Sequence, residues 1–372
     1  MQLLSLNFLF YTIGGVWRPI KWSSKCSTHL YSMLTFFTMY LLNFSVLTQL
    51  LDIIFIVDNM DDFATNLLML LSAITAFCKA ATAITRRSEI ISLIKILQEK
   101  PCKACDEEEI NIQMKYDRLI RSCTISYTVL ASFSTTGAIT GQVLSTFHSE
   151  LPHRIWVPYH YTPPSLFWLT SLHEMLALIV GTFVNVATET LLLGLCLQIC
   201  AQLEILTHRL QREIKSNKGQ QVCKNLNDTP NGTSRLSEHI YYHLCIIRFA
   251  EMANEIFSQV LFVQFFASIL ILCASVYYLS SPITVADFVT LIIFTFCMFV
   301  QIFIYCWAGN EVMLKSTGLG EAVFEMDWIL MTISERKDLL MIMKRSTKPI
   351  KFTSTFLILK TSYSAFNVLH RS

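Results

Sequence analysis

Long apolar stretches alternate with shorter polar segments along the chain, and seven apolar stretches can be distinguished. The first six reach the roughly 20 residues that an α-helix needs to cross a bilayer, and the seventh is the weakest. They cover residues 30–57, 64–84, 123–147, 166–187, 256–279, 286–309 and 352–369. The pattern predicts an all-α protein, a seven-transmembrane helix bundle that forms a single transmembrane domain over residues 1–372.

The composition agrees with a membrane protein. Hydrophobic residues make up 53% of the chain and charged residues 15%, whereas about a quarter of a soluble domain is charged. The N-terminus starts with apolar residues, but Arg18, Lys21 and Lys25 follow them. A cleavable signal peptide has the reverse order, so none is predicted.

The positive residues predict the orientation in the membrane. Nearly all of the 29 Lys and Arg residues lie in the N-terminal segment and in the loops after the second, fourth and sixth spans. The opposite loops and the tail hold only Arg154 and Arg371. Because cytoplasmic loops retain Lys and Arg, the N-terminus is predicted to be cytoplasmic and the C-terminus extracellular. The glycosylation sequons at Asn227 and Asn231 should then face the cytosol and stay unmodified.

Several inner polar segments carry apolar residues at helical spacing. Segments 88–98 and 201–214 do so, and a longer helix is predicted at about 322–348. The apolar residues of this last segment are Phe324, Trp328, Leu330, Met331, Leu339, Leu340, Ile342 and Met343. We expect such helices to extend the spans and to pack together as a cytoplasmic anchor.

Little in the sequence suggests catalysis. Cys102 and Cys105 form a Cys-x-x-Cys pair, but a structural zinc site needs four ligands and no second Cys/His pair lies nearby. No Ser/His/Asp grouping, phosphate-binding loop or paired carboxylate is found at membrane depth. We therefore expect no enzyme, no cofactor and no metal site.

Among the titratable residues in or near the predicted spans, two pairs are candidates for a functional role. His173 and Glu174 begin the fourth span, where an interfacial position with access to water is the simpler interpretation and ligand contact the alternative. Lys79 and Glu189 lie near the inner ends of the second and fourth spans. Lys79 is expected to extend its ammonium group to the cytosol; the alternative is a pair with Glu189 between neighbouring helices.

The third span contains a run of small residues, Ser-Thr-Thr-Gly-Ala-Ile-Thr-Gly at 134–141. Such a run either lets helices approach closely or leaves a void. Neighbouring spans place apolar side chains at the same depth, namely Leu67, Leu71, Ile74, Leu176, Ala177, Val180, Ile293, Phe294 and Cys297. A void lined in this way suits a small, mostly apolar ligand held by dispersion forces.

The C-terminal third carries the most specific motifs. The run Tyr-Cys-Trp-Ala-Gly-Asn-Glu begins at Tyr305, Trp328 and the basic run 344–349 follow, and Thr-Ser-Tyr-Ser begins at Thr361. These motifs resemble the C-terminal signature of the insect odorant receptor family, although Ala365 replaces an aromatic residue of the closing motif. The resemblance implies seven spans, a cytoplasmic N-terminus and ion-channel function.

The resemblance also implies a ligand site. In the family, the odorant pocket lies in the outer halves of the second, third, fourth and sixth spans. Placed on this sequence, the expected ligand-binding residues are Leu71, Ile74, Ser134, Gly137, Ala138, His173, Ala177, Val180, Ile293, Phe294 and Cys297.

A channel of this family is built from several subunits, each of which contributes its last helix to the pore. By resemblance, Val368 takes the apolar gate position, and Ser364 and Phe366 precede it. The residues expected at the subunit interface are Trp328, Leu339, Leu340 and Met343. The implied partners are the odorant receptor co-receptor in a hetero-oligomer that would be tetrameric, a small volatile odorant and membrane lipid, and no nucleic acid.

The resemblance thus implies an odorant receptor subunit that gates a non-selective cation channel in the plasma membrane of a sensory-neuron dendrite. A gustatory receptor of the same superfamily is the nearest alternative, although its usual Thr-Tyr…Gln-Phe ending is absent. A G-protein-coupled seven-span receptor is a second alternative, which the predicted orientation disfavours. A transporter would need broken helices with polar residues near the midplane, and the spans show none that are convincing.

Overall fold

Every regular element in the described part of the chain is an α-helix. The computed structural model describes residues 4–19, 22, 24–57, 59–147, 156–159, 164–223, 235–281, 285–326 and 331–352. The helices in these ranges are α1 (Ser5–Ile13), α2 (Lys25–Phe55), α3 (Met60–Thr85), α4 (Arg87–Gln98), α5 (Glu107–Phe147), α6 (Pro164–Cys223), α7 (Arg235–Leu279), α8 (Val285–Phe324) and α9 (Ile333–Ser346). The all-α fold predicted from the apolar pattern is confirmed.

Five of the described helices are long and apolar enough to cross a membrane, namely α2, α3, α6, α7 and α8. They correspond to the first, second, fourth, fifth and sixth predicted spans. The third predicted span lies in α5, whose many Ser, Thr and Gly residues make it more polar than the others. The seventh predicted span lies outside the described residues from residue 353 onward, as do the sequons at Asn227 and Asn231.

Helices α5 to α8 are longer than a bilayer requires. They contain 41, 60, 45 and 40 residues. At 1.5 Å per residue, α6 alone extends over about 90 Å, against a hydrocarbon core of about 30 Å. The apolar spans therefore continue as helices into polar sequence, as predicted.

The chain forms two compact units. The first contains Met1–Arg87, Arg121–Leu192 and Gln259–Ile304, and the second contains Ser88–Ile120, Leu193–Ser258 and Tyr305–Ser372. Helices α5 to α8 each contribute residues to both units, so the units are not consecutive segments of the sequence.

In the first unit, the N-terminal helix α1 packs against α2 and α6. The fully buried Tyr11 hydroxyl donates a hydrogen bond of 2.8 Å to Thr188 Oγ1. After α1 the chain turns at Gly15, which has a φ of 74°. A Cβ atom there would lie 2.5 Å from Thr38 Oγ1, and Thr35 Oγ1 donates to the Gly15 carbonyl at 2.8 Å. Glycine is required because both the backbone angle and the close approach of α2 exclude a side chain.

An apolar core joins α3, α7 and α8 in the same unit. Its buried members are Ala64, Leu68, Ala267, Ile271, Ala274, Leu291 and Met298. Leu71 and Phe294 pack against this cluster while remaining partly exposed. Close packing of these side chains holds the three helices together.

The second unit contains a buried ion pair between α5 and α6. Arg209 donates to both carboxylate oxygens of Glu109 at 2.9 and 2.8 Å, and the Cys105 amide donates to Glu109 Oε2 at 2.9 Å. Burial raises the pKa of Glu109, but these hydrogen bonds outweigh burial, so its pKa lies below the usual value. Arg209 also lies 4.7 Å from the ring of Tyr242 on α7. The pair therefore fixes α5, α6 and α7 in register.

A second polar cluster in this unit centres on Glu204 of α6. Its carboxylate accepts hydrogen bonds from Tyr116 at 2.8 Å, from Lys115 at 3.3 Å and from Lys315 of α8 at 2.7 Å. The cluster connects three long helices outside the predicted spans.

Helix α9 differs from the predicted helix at about 322–348. Helix α8 ends at Phe324, and α9 begins only at Ile333. A capping box sets this start: Glu335 N donates to the Thr332 side chain, and Thr332 N donates to the Glu335 carboxylate at 2.9 Å. On α9, the Ser346 Cβ would lie 3.3 Å from a Cβ placed on Gly320 of α8, so the two helices pack closely at Gly320.

Candidate functional site

A cavity of about 570 Å³ lies in the first unit between α2, α3, α5, α6, α7 and α8. Its volume falls within the roughly 300–1,000 Å³ of typical small-molecule pockets. One wall is formed by Leu68, Leu291, Phe294 and Met298, which belong to or pack against the apolar core of the unit. The cavity is therefore bounded by packed helices and has an apolar side.

Five of the residues expected to bind ligand line this cavity. They are Ser134, Ala138, Ala177, Phe294 and Cys297. These residues come from α5, α6 and α8, so side chains from three helices that are far apart in sequence share one void. The helical register that brings them together was not visible in any single span.

The other six expected residues lie outside the cavity lining: Leu71, Ile74, Gly137, His173, Val180 and Ile293. Leu71 packs against the apolar core instead. The His173 ring lies 4.7 Å from the ring of Phe44 and 5.9 Å from that of Tyr40. Gly137 is exposed, and a Cβ atom built on it would meet no other atom within 4 Å.

The small-residue run of α5 divides into two faces. Ser134, Thr135 and Ala138 face the cavity, while Gly137 and Gly141 have open space around the position of a Cβ atom. Thr135 shares a hydrogen bond of 3.0 Å with Thr182 of α6 at the cavity wall. The run therefore leaves a void on one face; neither glycine is used for close helix packing among the described residues.

Polar side chains lie at one end of the cavity, and the expected ligand-binding set did not include them. Gln49 of α2, Asn66 of α3, Gln142 of α5 and Glu174 of α6 all line this end. Asn66 donates a hydrogen bond to the buried Asp52 carboxylate. Glu174 therefore belongs to the cavity lining, whereas its neighbour His173 does not. The signal was present, since polar residues inside apolar spans are often functional.

A buried charged network marks the other end. Lys79 of α3 donates to Asn185 Oδ1 at 2.8 Å and pairs with Glu189 of α6, and both charged side chains are fully buried. Gln301 of α8 also donates to Glu189, and both Asn185 and Gln301 line the cavity. The expectation that Lys79 extends to the cytosol is wrong, because a carboxylate and an amide satisfy its ammonium group inside the bundle. The alternative, a Lys79–Glu189 pair, is confirmed.

The residues expected at the subunit interface differ in their exposure to solvent. On α9, Leu339 is 3% exposed and therefore packs within its own chain, whereas Leu340 is 60% exposed. Met343 is partly buried. Trp328 and the expected gate residues Ser364, Phe366 and Val368 lie outside the described residues.

Comparison with protein families gives a match over most of the chain. The family model described as 7tm Odorant receptor matches residues 59–370. Odorant receptor 46a, isoform A, of Drosophila melanogaster is 28% identical over 241 residues, which cover 60% of this chain and 60% of that protein. Odorant receptor 67a of the same organism is 23% identical over 205 residues, 54% of this chain and 48% of that protein. The chain thus matches about half to three fifths of the length of these relatives.

Solved structures give a likeness over nearly the full length. The structure of the insect olfactory receptor OR5 from Machilis hrabei in complex with eugenol superposes with a TM-score of 0.84 at 15% identity. The match covers 98% of this chain and 95% of that one. A second structure of the same receptor gives a TM-score of 0.80. At this identity the likeness concerns the fold, and it agrees with the predicted seven-span architecture.

Proposed function

Because this chain belongs to the 7tm odorant receptor family, we propose that it is an odorant receptor subunit whose ligand binds in the cavity of its first unit. The chain is a multi-pass membrane receptor and not an enzyme. The observation that supports the site is the convergence of Ser134, Ala138, Ala177, Phe294 and Cys297 on one cavity of about 570 Å³. That volume suits a small volatile molecule.

Binding is proposed to act by shifting a closed–open equilibrium. A ligand shifts such an equilibrium only if it binds one state more tightly than the other. Helix α8 supplies Phe294 and Cys297 to the cavity and continues without interruption to Phe324. We infer that α8 carries the displacement toward the C-terminal segment, in which Ser364, Phe366 and Val368 are the proposed gate of a non-selective cation channel.

The proposed assembly is a hetero-oligomer with the odorant receptor co-receptor, and four subunits are expected. The distribution of Lys and Arg supports a cytoplasmic N-terminus and an extracellular C-terminus. The proposed location is the plasma membrane of a sensory-neuron dendrite. Of the proposed interface residues, Leu340 is the one that the structure leaves most exposed.

The cavity can be tested with two adjacent tryptophan substitutions. Ala138 lines the cavity, whereas Gly137, one residue away, faces open space. Ala138→Trp should fill the void and abolish odorant-evoked currents in cells that also express the co-receptor, because overpacking acts locally. Gly137→Trp, at which the sequence placed the ligand site, is the matched control and should leave the currents unchanged.

Surface expression and co-purification with the co-receptor should be equal for the two variants. If Ala138→Trp keeps the wild-type concentration dependence for every active odorant, the cavity is not the binding site. If Gly137→Trp alone abolishes the response, the ligand binds on the outer face of α5 instead.

A further inference from the structure

Unpartnered hydrogen-bond acceptors gather at one end of the cavity. We define the acceptor end as Gln49 of α2, Gln142 of α5 and Glu174 of α6, which all line the void. Gln49 and Gln142 are 7% and 4% exposed. In the described part of the chain, Gln49 Oε1, Gln142 Oε1 and Glu174 Oε2 are buried without a hydrogen-bond partner. A fourth such atom in the cavity lining is Gln264 Oε1 of α7. Buried polar atoms are ordinarily satisfied, so the three at the acceptor end point to a ligand that donates hydrogen bonds there.

The acceptor end also has a second carboxyl group beside it. The Asp52 carboxylate is fully buried beside it, accepts a hydrogen bond from Asn66 and interacts electrostatically with Glu174. Among the described residues that line the cavity, none is Lys or Arg. The buried Lys79 is paired with Glu189 at the other end. A carboxyl group that faces the void beside a second carboxyl group favours a positively charged ligand group, which supplies a counter-charge.

The cavity also has an apolar wall. Leu42 of α2, Leu68 of α3 and Leu291 of α8 line it together with Phe294. Contact with such a wall does not stabilise a hydrated inorganic cation, whereas it stabilises a hydrocarbon chain, because the chain buries apolar surface there. The ligand that matches both features has a compact cationic head and an apolar body.

We propose that the cavity recognises a small primary alkylamine in its protonated form, with the ammonium group on Glu174 and the alkyl chain against Leu68, Leu291 and Phe294. The inference rests on the proposed function, since it takes this cavity as the ligand site. An ammonium group donates three hydrogen bonds, which matches the three acceptors of Gln49, Gln142 and Glu174. An alcohol donates only one.

Direct binding to the full-length chain in lipid nanodiscs tests the inference without channel gating. The probes are hexylamine and hexan-1-ol, which share one alkyl chain, and binding is read from ligand-induced thermal stabilisation at pH 7. An alkylamine is protonated at that pH, because its pKa is close to that of Lys, about 10.4. A charge-assisted hydrogen bond is roughly twice as strong as a neutral one, so hexylamine should bind about tenfold or more tightly than hexan-1-ol.

Glu174→Gln keeps the shape of the side chain and removes the carboxyl group that can supply a counter-charge to the ammonium group, so it should bring the affinities for the two probes close together. Asp61→Asn is the matched control, because Asp61 is an exposed carboxylate of α3 outside the cavity lining, and the preference for hexylamine should persist. If Glu174→Gln does not fold, Gln142→Met should weaken hexylamine binding more than hexan-1-ol binding. Ala138→Trp should abolish the binding of both probes.

The outcomes separate this inference from the proposed site. If both probes bind, Ala138→Trp blocks both and hexylamine has no advantage, the cavity is confirmed as the site and the amine inference is wrong. The inference is also overturned if Glu174→Gln leaves the preference intact. Stabilisation by NaCl alone that disappears in Glu174→Gln would indicate an inorganic cation site and overturn it as well. If both probes still bind to Ala138→Trp, or neither binds to the wild-type chain, the proposed site itself fails together with the inference.

Discussion

The buried pair of Lys79 and Glu189 should be the most sensitive polar contact of the first unit. Both side chains are fully buried, and Lys79 also donates to Asn185 at 2.8 Å. Removing one member of a buried ion pair leaves an uncompensated charge and costs about 3–5 kcal/mol. Lys79→Met and Glu189→Gln are therefore each expected to lower the free energy of unfolding by about that amount.

The double variant Lys79→Met/Glu189→Gln should be far less damaging than the two single changes suggest. The amide oxygen introduced at position 189 would still accept the hydrogen bond that Gln301 now donates to Glu189, and no charge would remain buried. The main remaining loss is the hydrogen bond that Lys79 donates to Asn185 Oδ1. Leaving that buried acceptor unsatisfied costs about 1–3 kcal/mol. If the two single changes were independent, their costs would add to about 6–10 kcal/mol.

The measurement is unfolding of the detergent-solubilised chain in graded SDS, followed by tryptophan fluorescence. Lys95→Met serves as the control, because Lys95 forms a 3.5 Å pair with Glu99 on the surface of α4, where both side chains are exposed. An exposed pair of this kind contributes about 0.3–0.5 kcal/mol. The reasoning is refuted if each single change at the buried pair costs no more than the control and the two effects add, since Lys79 would then reach water as the sequence first suggested.

Three further predictions concern other parts of the chain. Because the pKa of Glu109 is lowered in the folded state, its ion pair with Arg209 stabilises the protein above the carboxyl pKa of the unfolded chain, and that contribution is lost as the pH falls through the folded-state pKa. Glu109→Gln should therefore lower the thermal midpoint at pH 7, and the difference from wild type should shrink toward pH 3, as measured by size-exclusion chromatography after heating. Leu340→Asp should block co-purification with the co-receptor far more than Lys337→Asp, its exposed neighbour on α9, and equal recovery would exclude α9 as the assembly surface. Asn231→Gln should not change the electrophoretic mass in insect cells, because a sequon in a cytosolic loop is not glycosylated. A glycosidase-sensitive shift that the substitution removes would contradict the cytosolic position of this loop.

The sequence predicts the helical architecture well because membrane spans are a one-dimensional property. Length and hydropathy suffice to find them, and the clustering of Lys and Arg predicts the side on which the polar extensions lie. The start of α9 at Ile333 was also readable, since Thr332 and Glu335 have the spacing of a capping box. The apolar residues of 322–348 recur at helical spacing on both sides of this capping box, so the sequence predicts one longer helix there. The structure instead ends α8 at Phe324 and begins α9 at Ile333.

The details of the cavity were less predictable, because they depend on the rotation of each helix about its axis. Successive residues of an α-helix point about 100° apart, so Ala138 lines the void while Gly137 faces outward. Nothing in a run of small residues shows which face meets the neighbouring helices. In the same way, Lys79 and Glu189 are 110 residues apart, and only the packing of α3 against α6 shows that they meet.

The separation of Lys79 from Glu189 has a consequence for the synthesis of the protein. Helix α3 leaves the ribosome and enters the membrane before α6 exists, so Lys79 is inserted without its counter-charge. At about 5–20 residues per second, the 110 residues between them take about 5–20 s to translate. During this interval the long side chain can reach the aqueous interface, which keeps the insertion of α3 possible although a buried Lys costs about 2.5–3.5 kcal/mol at a span centre. We therefore expect α3 to reach its final position only after α6 has been inserted. Lys79 should contact water in the nascent chain and pair with Glu189 in the folded receptor.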